Sequence, residues 1–310
     1  MTDRIYFDNS ATTPLDPRVA DAMRPYVLEV FGNPSSLHAP GRQARQAVEE
    51  ARRNVADLLR ADAEEIVFTG SGTEADNMAL LGVVDAAGWR DCHIVTSAIE
   101  HPAILETCRY LAARGVEVSY LPVDSEGIVD PESLERALSP ATRLVSVMTA
   151  NNVVGTVQQI RELARISHEH GVAFHTDAVQ AAGKLPLDTS TGDIDLLSMS
   201  AHKLHGPKGV GALYVSKGLK ARLGGELSPV MRGGGQERGL RSATENVAGI
   251  VGFGEAARIA RVEMAAEAAR MVNLRDRLLE GILARFENAY LIGSRYRRLP
   301  GHLCVGFAGQ

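Results

Sequence analysis

A chain of 310 residues, 45% of them hydrophobic, can bury a sizeable core and form one large domain with a partial second one. Its net charge of -5 and the absence of any lysine- or arginine-rich block argue against a nucleic-acid surface, although a small anionic ligand needs only a local site. The start, Met1-Thr2-Asp3-Arg4-Ile5-Tyr6-Phe7-Asp8, has no signal-peptide core and no apolar run is long enough to span a bilayer, so no membrane partner and a cytoplasmic location are expected.

In chain order, segments 65–68, 93–97, 116–121, 144–149, 172–175, 196–200 and 211–215 read as short apolar strands. Between them, 73–84, 102–114, 131–138 and 159–170 read as helices that begin near capping residues, several ending near Gly115 and Gly171. This alternation predicts an α/β protein, with helices packed on a mostly parallel sheet. From 248 to 286 an alanine-, glutamate- and arginine-rich stretch has apolar residues at helical spacing and is expected to leave the sheet domain for a smaller one. Segment 303–310 reads as a strand that stops without a partner, an exposed edge better explained by a truncated chain than by a complete domain. Cys92, Cys108 and Cys304, odd in number and far apart, are expected to be reduced thiols; Cys92-His93 and His101 lack the second close cysteine of a zinc site, so no metal is expected.

The chemistry concentrates at strand ends. Lys203 ends a small-residue strand in Ser200-Ala201-His202-Lys203, where its amine is presented for a Schiff base, with His202 and Lys208 near enough to lower its pKa. Asp177, ending the strand before Ala178-Val179-Gln180, has the position to pair with a cationic ring nitrogen; a helix N-cap is its plainer role. In Gly70-Ser71-Gly72-Thr73-Glu74-Ala75 a strand meets a helix start, so backbone N–H groups and the helix dipole suit a phosphate. Ser200 and His202 are further phosphate donors. His101 can stack on a planar ring and transfer protons or be merely structural, the Asn151-Asn152 pair can donate to a ring hydroxyl or form a turn, and Gln180 reaches the same region. Lysine, aspartate and a phosphate loop together form the pattern of pyridoxal phosphate (PLP). A Rossmann dinucleotide site is the competing reading of the glycine turn, but some 65 residues precede it and it leaves Lys203 and Asp177 without a role.

Tyr6-Phe7-Asp8-Asn9-Ser10-Ala11-Thr12-Thr13-Pro14, Phe31-Gly32-Asn33-Pro34-Ser35-Ser36, the Gly-Thr-Glu-x-Asp-Asn turn, Glu100-His101, Asn151-Asn152, His175-Thr176-Asp177-Ala178-Val179-Gln180, Ser200-Ala201-His202-Lys203 and Arg238-Gly239-Leu240-Arg241-Ser242-Ala243-Thr244 together resemble a cysteine desulfurase of the class V aminotransferase family. The resemblance covers essentially the whole chain. It implies a fold type I PLP enzyme, a homodimer, that takes sulfur from L-cysteine, leaving L-alanine and a persulfide for iron-sulfur cluster or thiolation pathways by way of an acceptor or scaffold protein. By the same resemblance Lys203 holds the PLP aldehyde, Asp177 pairs the pyridine nitrogen, and His101 stacks on the ring and assists proton transfer. Gly72, Thr73, Ser200 and His202 bind phosphate, Asn152 and Gln180 contact the ring oxygen side, and Thr244 reaches the phosphate of the partner subunit. The resemblance further implies a large PLP-binding domain over 15–250 and an incomplete small α+β domain from 1–14 and 251–310, with Asn9-Ser10-Ala11-Thr12 at the substrate entrance.

Two departures stand out. Val153 takes a place where relatives commonly carry glutamate, and the family's persulfide-forming cysteine and carboxylate-binding arginine lie beyond the point where this sequence ends. The alternatives are therefore a PLP-binding scaffold without turnover, or another class V reaction such as selenocysteine lysis or transamination.

Overall fold

A computed structural model describes residues 5–309 of the chain; residues 1–4 and Gln310, with the parts of the signal-peptide, terminal-strand and small-domain expectations that fall on them, lie outside the described residues. The chain opens with two helices, α1 (Pro17–Leu28) and α2 (Ala39–Leu59), then runs β1 (Ile66–Thr69), α3 (Gly72–Ala87), β2 (His93–Ser97), α4 (Pro102–Ala112), β3 (Glu117–Leu121), α5 (Pro131–Ala137) and β4 (Thr142–Ser146). It continues through α6 (Ile160–Glu169), β5 (Ala173–Asp177), β6 (Leu196–Ser200), β7 (Gly211–Val215), α7 (Leu219–Leu223), α8 (Val247–Arg285), β8 (Ala289–Leu291) and β9 (Val305–Phe307).

Seven strands form one sheet in the order β1-β7-β6-β5-β4-β2-β3. The pairs β2–β3, β2–β4, β4–β5 and β5–β6 are parallel, while β7 runs antiparallel to both β6 and β1. Only β7 is reversed, so the other six strands end on one side of the molecule.

Helices cover both faces, which is why β1, β2, β5 and β6 are buried at every position rather than at alternate ones. Alternate residues then serve opposite cores. Val67, Ile94, Leu144, Leu196 and Leu213 pack with Leu80, Val83, Ile104 and Leu111 of α3 and α4. Phe68, Val95, Val145, Phe174 and Leu197 pack with Val55 and Leu59 of α2, Leu163 of α6 and Phe253 of α8. Each such side chain contributes about 1.5–3 kcal/mol by burial.

α8 is a single helix across residue 250: Phe253, Ala256, Ala257 and Ile259 are buried in the main core, whereas Leu274 and Leu278 further on are exposed. The expected unpartnered terminal strand is corrected. β9 pairs antiparallel with β8 through Ala289↔Phe307, Tyr290↔Gly306 and Leu291↔Val305, and Phe286 meets Phe307 edge-on at 5.7 Å. A three-residue strand carries too short a pattern for β8 to be read from sequence. Cys304 lies just before β9 rather than within it.

Candidate active site

A cavity of about 560 Å³ opens at the carboxyl ends of β5 and β6, beside the start of α3 and under the N-terminal arm. Gly72, Thr73, His101, Asn152, Asp177, Gln180, Ser200, His202 and Lys203 line it, with Ser10 and Ala11 of the entrance motif, whereas Asn9, Thr12 and Asn151 do not. Thr244 is exposed on a loop outside this cavity.

The phosphate-loop end is built at the N-terminus of α3. Ser71 caps the helix by accepting from Glu74 N at 3.1 Å, and Glu74 in turn accepts from Gly70 N at 2.7 Å. Arg241, from the Arg238–Thr244 motif, clamps Glu74 at 2.6 Å. A Cβ on Gly72 would stand 2.6 Å from Val179 Cγ2 and 3.3 Å from Ser200 Cβ, so only glycine leaves this corner of the cavity open. The hydroxyls of Thr73 and Ser200 take no hydrogen-bond partner among the described residues, and His202 Nδ1 meets Thr12 Oγ1 at 3.1 Å.

On the deep side, β5 sends His175 and Asp177 to the same face, as alternate residues of a strand must go. Asp177 accepts from Val179 N at 2.8 Å. Neutral His175 bridges Ser146 Oγ at 2.8 Å and Ser198 Oγ at 3.0 Å, its pKa pushed down to about 3 by burial. From α3, Asp76 comes within 3.7 Å of His175 Nε2, and its Oδ1 has no hydrogen-bond partner among the described residues. Burial and the neighbouring Asp177 charge push the Asp76 carboxyl well above the usual range. Burial raises Asp177 too, against the Val179 N–H and the nearby Lys203 charge. Of these two acids Asp177 has the backbone N–H and the nearby Lys203 amine, so its ionised form is the better supported of the two. Glu100 accepts from Ser97 Oγ at 2.6 Å and Met148 N at 2.9 Å and is pushed up to about 8 by burial.

His101 is also the N-cap of α4: its Nδ1 accepts from Ala103 N at 3.1 Å, which leaves Nε2 carrying the proton toward the cavity. The asparagine pair divides its labour. Asn151 is a turn residue, giving its amide to Ile99 O and accepting from Val153 N and Val154 N, and Asn152 faces the cavity. Lys203, in the 3-10 turn after β6, donates to Ser10 O and, at 2.8 Å, to Ala11 O; its pKa is lowered chiefly by burial, with Asp177 and Asp8 opposing. His202 is lowered by burial and then by the Lys203, Lys208 and Lys184 charges.

Comparison with known proteins decides the family. The family model described as Aminotransferase class-V matches residues 5–310. A cysteine desulfurase IscS of Dictyoglomus turgidum is 47% identical over 308 residues, covering 99% of this chain and 77% of the relative. Among solved structures, a NifS-like protein superimposes with a TM-score of 0.93 at 43% identity, covering 98% of this chain and 82% of that one. A structure of SspA in complex with cysteine gives 0.86 at 35% identity, with 98% and 84% covered. The chain is a class V cysteine desulfurase by family.

In a desulfurase of this family, which is PLP-dependent, the residues present fit the cofactor on their own chemistry. The buried Asp177 carboxylate suits a ring cation, the Gly72 corner with the Thr73 and Ser200 hydroxyls facing the cavity suits a phosphate, and the lowered Lys203 amine suits an aldehyde. Sequence reasoning missed Asp76, Met148 and Val179 in the lining. Asp76 had a readable signal: it stands four residues after Gly72, one turn along α3, and so on the same helix face. No described helix is long and apolar enough to cross a membrane, and no described group of three or more His, Cys, Asp or Glu is placed to hold a metal.

Proposed function

We propose that this chain binds PLP through Lys203 and acts on L-cysteine, as a homodimer in the cytoplasm that passes sulfur to an acceptor or iron-sulfur scaffold protein. The observation that carries the reading is the convergence of Lys203, Asp177 and His101 on one cavity beside a helix N-terminus. The bound cofactor supplies an aldehyde for the substrate amine and a ring that takes up the electron pair left at Cα. Around it, Gly72 and Thr73 backbone N–H groups with the Ser200 hydroxyl and His202 would hold the phosphate. Asp177 would neutralise the ring cation, and Asn152 and Gln180 would direct the ring oxygen.

Lys203 Nζ, freed from Ser10 O and Ala11 O, would move the proton at the substrate Cα, and His101 Nε2 is placed to give or take a proton over the ring. Asn9-Ser10-Ala11-Thr12 would line the entrance; Thr244, exposed on its loop, would reach the phosphate of the partner subunit. The domain division proposed is a large unit over 15–250 and a smaller one from 1–14 and 251–310, joined through α8.

The positions of the thiols favour a second reading of what this chain does alone. Cys92 and Cys108 are buried, the latter pushed up to about 12 by burial, and neither they nor Cys304 lines the cavity. A low-pKa, accessible thiolate is what attack on sulfur requires. The 310-residue chain is therefore expected to bind PLP with a visible absorbance band, lost in Lys203→Ala, and to release no alanine from cysteine. A band unchanged in Lys203→Ala would remove the assignment; rapid alanine formation would remove the second reading.

A further inference from the structure

Two charged side chains stand against the loop that leads into α3 without lining the cavity: Glu74, with 23% of its side chain exposed, and Arg241, with 18%. Arg241 Nε meets Glu74 Oε1 at 2.6 Å and its Nη2 meets Oε2 at 3.2 Å, while Glu74 Oε2 also accepts from Gly70 N at 2.7 Å. Arg241 brings its charge from far along the chain, on a loop whose backbone is strained: Glu237 and Arg238 have φ of 47° and 57°. Arg52 at 2.6 and 2.7 Å and Phe68 N at 2.7 Å hold Glu237 there, and Arg238 donates to Ile66 O at 2.6 Å. The loop is thereby pinned to the edge of β1, next to the turn that Arg241 reaches.

Glu74 is the acid of the first turn of α3. A carboxylate there favours the helix, because it faces unpaired N–H groups and the positive end of the dipole. The same features would attract a phosphate at the neighbouring Gly72 and Thr73. An uncompensated Glu74 would take up that field and repel a dianion as well. The bases that line the cavity do not answer it: Lys203 faces Asp177 and Asp8, and His202 is pushed toward its neutral form by burial.

We propose that Arg241 is a positioning residue for the cofactor phosphate: its guanidinium cancels the Glu74 charge and holds that carboxylate on Gly70 N, so that the N-terminus of α3 keeps its attraction for a phosphate. The proposal rests on the reading of this cavity as a PLP site and deepens it, because phosphate recognition then depends on a pair outside the cavity. Lys203 meets the same aldehyde in PLP and in pyridoxal, which lacks the phosphate. The ratio of the two affinities therefore isolates the phosphate end.

Titrating the purified chain with PLP and with pyridoxal, each followed by absorbance, measures that ratio. In Arg241→Met it is expected to fall on the order of tenfold, with pyridoxal affinity within about twofold of the unsubstituted protein. In Arg241→Met/Glu74→Gln most of the ratio should return, because the charge that needed cancelling is gone. A ratio unchanged in Arg241→Met, including a loss shared equally by both aldehydes, overturns the proposal, and so does a fallen ratio that Glu74→Gln fails to restore. Should Arg241→Met not melt cooperatively, Glu74→Gln alone decides: the unmatched Arg241 should raise the ratio by about threefold or more, and no rise is contradictory. Borohydride reduction of the unsubstituted protein with PLP separates the two levels. No adduct at Lys203 overturns the cofactor reading and the proposal with it, whereas an adduct together with a ratio indifferent to Arg241 overturns the proposal alone.

Discussion

On the deep wall of the cavity Asp76 and Asp177, with Glu100 beside them, are carboxyls that burial pushes toward the acid form; on the front wall Lys203 and His202 are bases that burial pushes toward the neutral form. The two walls are penalised for opposite charges and have too few partners of their own. A ligand with a ring cation at one end and a phosphate at the other would relieve both, because each wall would then face the charge it lacks. The comparison teaches that the cavity's own groups are electrostatically frustrated in a pattern complementary to such a ligand, as sites built for function often are.

The largest effect should come from the deep wall. Asp177→Asn keeps the acceptor for Val179 N–H but removes the charge, so PLP binding followed by absorbance should weaken by about 2–5 kcal/mol. The cofactor-free protein should melt no lower, since one member of a buried acid pair is gone. Unchanged PLP affinity would break the comparison at its strongest point. Next comes the phosphate corner. Gly72→Ala puts a methyl 2.6 Å from Val179 Cγ2, and overpacking there should cost about 1–3 kcal/mol in PLP affinity, read by the same titration. An affinity within twofold of the unsubstituted protein would mean that the corner does not hold the phosphate.

A smaller effect sharpens the acid side alone. Glu100, raised from 4.5 to about 8, stays protonated in the folded chain while it ionises in the unfolded one. Its contribution is fully present below about 4.5 and is lost as pH rises toward about 8. Glu100→Gln imitates the acid form, so the variant should match the parent in thermal melts at acid pH and exceed it by about 3 °C or more at pH 9. Equal melting at both pH values would show that Glu100 is ionised at no cost. The smallest effect is expected at Val153, which is 62% exposed at the edge of the cavity: Val153→Glu should change stability, read by thermal melting, by under about 0.5 kcal/mol.

Much of this was legible before the fold was known. The segments 93–97, 196–200 and 211–215 coincide with β2, β6 and β7, because buried strands between glycines and polar turns have no competing period. Segment 144–149 overran β4, yet Val147 N and Thr149 N go on to donate to His175 O and Asp177 O at 3.1 and 2.9 Å, so the apolar run follows β5 right to the cavity. The reversal of β7 left no mark on its sequence, since direction is set by connection and not by composition. α1 and α2 escaped notice because their buried faces are built largely of alanine and valine under arginines and glutamates.

In the site, residues named for chemistry also serve the backbone: His101 caps α4, Asn151 holds a turn, and Gln180 ties down the N-terminal arm. Asp76 shares a helix face with Gly72 in the sequence, but that its buried carboxyl Oδ1 lacks a hydrogen-bond partner among the described residues shows only in three dimensions.

The central claim is that one amine on the front wall and one carboxylate on the deep wall grip the same small ring. Incubating the purified chain with PLP, reducing with borohydride and mapping the added mass by peptide tests it most directly. The account predicts the pyridoxyl group on the peptide containing Lys203 and a loss of that label in Asp177→Asn at limiting PLP. Label spread evenly over exposed lysines such as Lys208, Lys217 and Lys220, with none favoured at Lys203, would contradict it.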